Sequence, residues 1–132
     1  MKKLVYLFFL AISISCSSDD DNNENSELNG EWFLINISCF CGFDETINFN
    51  DFTLRFDNSE NILHLDNPTE SYFYIAESGS YEYNLQENII SIEGTGDSYR
   101  YNFEDSNLIL TLIDDPAIAD DELSLMYQRK GN

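Results

Sequence analysis

From Gly30 onward, apolar and polar residues alternate with a period of two, the signature of strands that turn one face to a core and the other to water. Phe52, Leu54 and Phe56 alternate with Thr53, Arg55 and Asp57, and Tyr81, Tyr83 and Leu85 with Glu82 and Asn84. The rhythm returns in Tyr99, Tyr101 and Phe103, and again in Leu123, Leu125 and Tyr127. Between the runs lie polar stretches of hairpin length: Asn58-Ser59-Glu60-Asn61, Gln86-Glu87-Asn88, Gly94-Thr95-Gly96 and Asp105-Ser106-Asn107.

This pattern predicts eight strands, at 30–38, 51–57, 61–66, 79–85, 88–93, 98–104, 107–113 and 122–129, and admits a ninth near 71–76. No segment keeps helical spacing over ten residues, and Pro68 and Pro116 both fall in loops. The expected class is all-β. Strands joined mostly by tight turns pair antiparallel in chain order, and an eight-stranded up-and-down barrel removes the free edges that invite aggregation. A two-sheet sandwich is the other arrangement the pattern allows.

The first 27 residues follow a different logic. Lys2 and Lys3 precede an apolar run from Leu4 to Ile14, small residues follow, and the run stops at Cys16. That is the layout of an export signal, and it is shorter than the roughly 20 apolar residues a membrane-spanning helix needs. Ser17 to Glu27 contains only Ser, Asp, Asn and Glu, with nothing to bury and much to repel, so it is expected to be a disordered tether. Such a stretch reaches at most roughly 35 Å. The chain therefore divides into a signal peptide (1–15), a cysteine with an acidic linker (16–27) and one domain (28–132).

Ser13-Ile14-Ser15-Cys16 resembles a lipobox, the site at which a signal peptide is cut before a diacylglyceryl-modified cysteine, and Cys16-Ser17-Ser18-Asp19-Asp20-Asp21 resembles the start of mature Bacteroidetes-type lipoproteins. The resemblance implies acylation of Cys16, attachment to the bilayer through its acyl chains and an outer-membrane location, with the acidic stretch pointing to the cell surface. A second resemblance covers Leu28 to Lys130. Leu28-Asn29-Gly30-Glu31-Trp32 is similar to the Leu-x-Gly-x-Trp opening of lipocalin-like domains in bacterial lipoproteins, Gly79-Ser80-Tyr81 to their mid-chain strand entry, and Leu125 through Arg129 to their closing Leu-x-Tyr-x-Arg element. It implies an eight-stranded barrel and, as in better-known relatives, an apolar ligand at the barrel mouth.

Charge narrows the partners. The formal net charge is −19; without Lys2 and Lys3, four basic residues face 25 acidic ones, a charge of −21. Nucleic acid and electrostatic docking on anionic lipid both need clustered Lys and Arg and are not expected. A self-repelling surface also favours a monomer.

Candidate chemistry is sparse. His64 is the only histidine, and Leu63 and Leu65 on either side claim the core, leaving it outward. No Gly-x-Ser-x-Gly elbow or paired-His motif occurs, so no enzyme activity, cofactor or metal site is expected. The acid-rich run from Asp114 to Glu122 lacks the order of a calcium loop and reads as a solvated loop. With Cys16 acylated, Cys39 and Cys41 remain, about 6.6 Å apart at Cα in extended chain, so a bond needs a local bend and two thiols are the alternative. Tyr72, Phe73 and Tyr74 stand side by side and cannot all face inward, so they serve either as a ligand-contacting lip or as extra core over the barrel mouth. Trp32 reads as a plug at one end of the barrel. The residues expected to meet a small apolar or amphipathic ligand are therefore Trp32, Tyr72, Phe73 and Tyr74.

Overall fold

The computed structural model describes residues 26–39, 46–68, 75–114 and 122–131. Eight strands follow in order: β1 (Gly30–Ser38), β2 (Thr53–Asp57), β3 (Ile62–Asp66), β4 (Gly79–Gln86), β5 (Ile89–Ile92), β6 (Ser98–Glu104), β7 (Asn107–Leu112) and β8 (Ser124–Arg129). Each pairs antiparallel with the next, and β8 pairs with β1, so the sheet closes into a barrel. The eight strands and the up-and-down barrel match the expectation from sequence, and the sandwich alternative is set aside. Of the ninth strand, residues 71–74 lie outside the described residues, and Ile75 and Ala76 belong to no strand.

Alternation places the core. Leu54 and Phe56 of β2, Leu63 and Leu65 of β3, Tyr99 and Tyr101 of β6, and Leu125 and Tyr127 of β8 all point inward, and their outward neighbours are mainly polar. β1 departs from the rule. Strict alternation from Trp32 and Leu34 would send Asn36 and Ser38 into the core, where an unpaired amide costs on the order of 1–3 kcal/mol. A bulge between Leu34 and Asn36 resets the phase, so Asn36 and Ser38 face out and Ile37 faces in.

The two ends of the barrel differ. At one, hereafter the narrow end, β2–β3, β4–β5 and β6–β7 are joined by turns of two to four residues, in which Asn61, Glu87, Asp105 and Ser106 take positive φ. The N-terminus of β1 and the C-terminus of β8 are also there. At the other, the wide end, the connections are 39–52, 67–78, 93–97 and 113–123. The first includes a 3-10 turn at Phe49–Asp51, capped by the Asn48 side chain, which accepts from the backbone N–H of Asn50; this turn displaces the first two residues of the strand expected at 51–57.

Candidate functional site

The narrow end is built around Trp32. Its indole N–H donates to the Leu28 carbonyl at 2.9 Å, and Phe103 packs beside it with ring centroids 6.0 Å apart. Arg129, the last residue of β8, lays its guanidinium carbon 4.2 Å from the centre of the indole. The same guanidinium donates to the Asn29 carbonyl at 2.6 Å and to the Glu27 carbonyl. Ser26 to Leu28 form a helical turn, and Leu28 is fully buried against the core. The opening and closing motifs of the sequence thus meet: Trp32 and Arg129 are register partners across β1 and β8.

Gly30 makes this approach possible. It sits at φ +123°, and a Cβ there would lie 2.9 Å from an Arg129 guanidinium nitrogen. Two solvent-open grooves flank it, one of about 520 Å³ against Arg55, Phe56 and Asp57, the other of about 490 Å³ against Glu31, Arg129 and Lys130. Their cations are engaged: Lys130 pairs with Glu31 at 2.7 Å and Arg55 faces Asp57 at 3.7 Å.

Above this end the interior is filled. Trp32, Leu34, Leu54, Phe56, Leu63 and Leu108 are only 0–1% exposed. A void able to admit a molecule would leave surface on the side chains that line it, so none adjoins these residues. Toward the wide end Phe52, Ile92 and Tyr99 are still only 1–3% exposed, while Ile37, Leu65 and Ile75 reach 6–9% and Tyr81, Leu112 and Leu123 are half-buried; at the narrow end Leu85 and Phe103 are half-buried as well.

The described stems of the 67–78 connection are fastened together. The Asn67 side-chain amide donates to the Ala76 carbonyl at 2.6 Å, the Asn67 backbone N–H donates to the Ser78 hydroxyl, and that hydroxyl donates back to the Asn67 carbonyl. Tyr81 adds a bond from its hydroxyl to the Glu77 carbonyl. These contacts fix where the connection leaves and rejoins the wall.

Of the residues singled out from sequence, Trp32 lies at the narrow end, at the far pole from the stems of the 67–78 connection. Tyr72, Phe73, Tyr74, Cys16 and Cys41 lie outside the described residues. Cys39, at the end of β1, is half-buried against the core and disulfide-bonded. His64 is on the outer wall, its Nδ1 2.8 Å from the Ser80 hydroxyl on β4. Among the described residues no group of three His, Cys, Asp or Glu is disposed to hold a metal ion.

Among the described residues, three titrations are displaced. The hydrogen bond from the Ser59 hydroxyl is the largest influence holding the Asp57 carboxyl below its usual range; backbone N–H groups of Ser59 and Glu60 and the Arg55 charge add to it, against some desolvation. Burial pushes the phenols of Tyr83 and Tyr99 up, with smaller contributions from Asp57 and Asp97 respectively. Of these groups Asp57 and Tyr83 meet at the narrow end, where Tyr83 donates to the Asn58 side chain.

Sequence spacing alone does not assign Arg129 its role over Trp32, although it carries a signal. Leu125 and Tyr127 set an inward phase, and Arg129 continues it. A lone charge in the inward row marks a place where the core ends and a cation covers it.

No protein-family model matches the chain, and no curated protein matches it.

Proposed function

We propose that the chain is a lipoprotein of the cell envelope: its leader is removed, Cys16 is acylated and held in the outer membrane, and the lipocalin-like barrel is a binding module rather than an enzyme. The lipobox-like Ser13-Ile14-Ser15-Cys16 and the acidic stretch after it support the anchor. Cells fed a clickable palmitate analogue should label the protein, and Cys16→Ala should abolish both label and membrane retention. Normal labelling of that variant defeats the anchor.

For the binding module, the observation that carries the reading is the apolar rim at the wide end, where Tyr81, Leu112 and Leu123 pack against the core and each keeps part of its surface open. With the interior packed along its length, a small apolar or amphipathic ligand has its place at the wide-end rim, against Ile37, Leu65, Ile75, Tyr81, Leu112 and Leu123. Native mass spectrometry of the detergent-released protein tests this. A bound mass that survives purification supports it, and the bare mass throughout counts against it.

The packing of the remaining core favours a second reading, in which the barrel is a solid scaffold and its surface engages an envelope protein or polysaccharide. Crosslinking in intact cells to a specific partner, together with a bare native mass, is the result that reading expects.

A further inference from the structure

We infer that the anchor and the wide end of the barrel are at opposite poles, so that the wide end faces away from the bilayer and meets its ligand from the aqueous side. The inference rests on the anchoring proposed above, and on where the described chain enters the domain.

Ser26 to Asn29 do not wander before β1. The Leu28 carbonyl accepts from Trp32, the Glu27 and Asn29 carbonyls accept from Arg129, and the Leu28 side chain is buried. These contacts fix the entry point beside the turn at Asn58–Ser59, where Ser26, Asn29 and Ser59 line one groove. Entry is therefore at the narrow end. From Cys16 to Ser26 the covalent chain reaches at most roughly 35 Å, which bounds how far that end stands from the headgroups. The wide end is farther by the height of the barrel, roughly 20 Å for strands of this length tilted as an eight-stranded barrel requires.

Charge reinforces the direction. Without its leader the chain, at −21, is repelled by anionic headgroups, so the barrel does not lie down on the surface, and the side nearest the membrane is set by the attachment point. A ligand drawn sideways out of the bilayer would have to travel the height of the barrel. One arriving dissolved in water meets the wide end directly.

The test uses the full acylated protein in vesicles of phosphatidylethanolamine and phosphatidylglycerol carrying an energy-transfer acceptor on a fraction of headgroups. A single fluorescent amino acid replaces Glu60 at the narrow end or Asp114 at the wide end, both exposed positions. Transfer from position 60 should exceed that from position 114 by about two-fold, the difference expected for a barrel height comparable to the tether. Inserting twenty Gly/Ser residues after Ser18 should erase the difference. Vesicle-bound protein with equal transfer, with greater transfer from position 114, or with a difference that persists on the long tether overturns the orientation. Protein that stays in the supernatant like Cys16→Ala instead overturns the anchoring on which the orientation depends.

Discussion

Arg129 and Trp32 face one another across the β1–β8 seam, the guanidinium 4.2 Å from the indole centre, although nearly the whole domain separates them in sequence. One cation serves three purposes there. It stacks on the ring, donates to the Asn29 and Glu27 carbonyls of the entering turn, and bridges the point where first and last strands join.

Replacing Arg129 should therefore be expensive. Loss of the stacking contributes about 0.5–1 kcal/mol at this exposed site, and loss of the two exposed hydrogen bonds adds about 0.5–1.5 kcal/mol. Arg129→Met should lower the unfolding free energy in urea by roughly 1–2.5 kcal/mol on that sum of effects. Arg129→Lys should recover only part, because an ammonium cannot span the Glu27 and Asn29 carbonyls in one plane. Equal stability of the Lys variant and the parent would show that planarity is irrelevant.

Gly30 and Gly94 offer a controlled comparison. Both have positive φ, +123° and +86°, but a Cβ at Gly30 meets Arg129 whereas one at Gly94 meets nothing within 4 Å. Gly94→Ala should cost about 1 kcal/mol from backbone strain, and Gly30→Ala about 1–2 kcal/mol more, because φ +123° is harder for a side chain to adopt and the displaced guanidinium gives up its place over Trp32. Identical melting temperatures for the two variants would remove the close approach from the account.

The β6–β7 turn carries residues poorly suited to it. Asp105 and Ser106 take φ +48° and +69°, the mirror-image turn that Asn-Gly adopts most readily. The double change Asp105→Asn with Ser106→Gly should stabilise by about 0.5–1 kcal/mol, read as a rise in the urea midpoint. A fall in midpoint would mean that the present side chains contribute something the backbone angles do not reveal.

Tyr99 should make the barrel sensitive to alkali. Its phenol is held protonated when folded, chiefly by burial and also by Asp97, whereas the unfolded phenol ionises near pH 10. Above that pH the unfolded chain releases a proton the folded one retains, so stability is intact below about pH 10 and falls as pH rises past it. Melting temperatures taken from pH 8 to 12 should decline at the alkaline end, and Tyr99→Phe should flatten the decline. A variant that declines as steeply as the parent would assign the effect to other groups.

Much of this fold was readable in the chain because its information is local. Runs such as Tyr99-Arg100-Tyr101-Asn102-Phe103 specify both the strand and its inward face, and strand ends agree with β1 and β6 to the residue. What escaped was set by contacts between distant segments. The bulge at Ile35 exists because Asn36 and Ser38 would otherwise occupy core positions, which becomes visible only when β8 is aligned beside β1. The Asn67–Ser78 fastening likewise joins residues whose partnership no spacing rule announces. Trp32 was legible as a buried plug, whereas the cation over it shows in the sequence only as a charge continuing the inward phase of Leu125 and Tyr127, and which ring it covers is set by the β1–β8 pairing.

Because β1 is bonded on one side to β2 and on the other to β8, the ring cannot be completed until Ser124–Arg129 have been synthesised. Any shorter chain presents two bare strand margins, on β1 and β7, and lacks the arginine that covers Trp32. Completion is thus a late, all-or-nothing event in the life of the polypeptide. A prematurely terminated copy keeps both margins open and is left prone to aggregation and proteolysis.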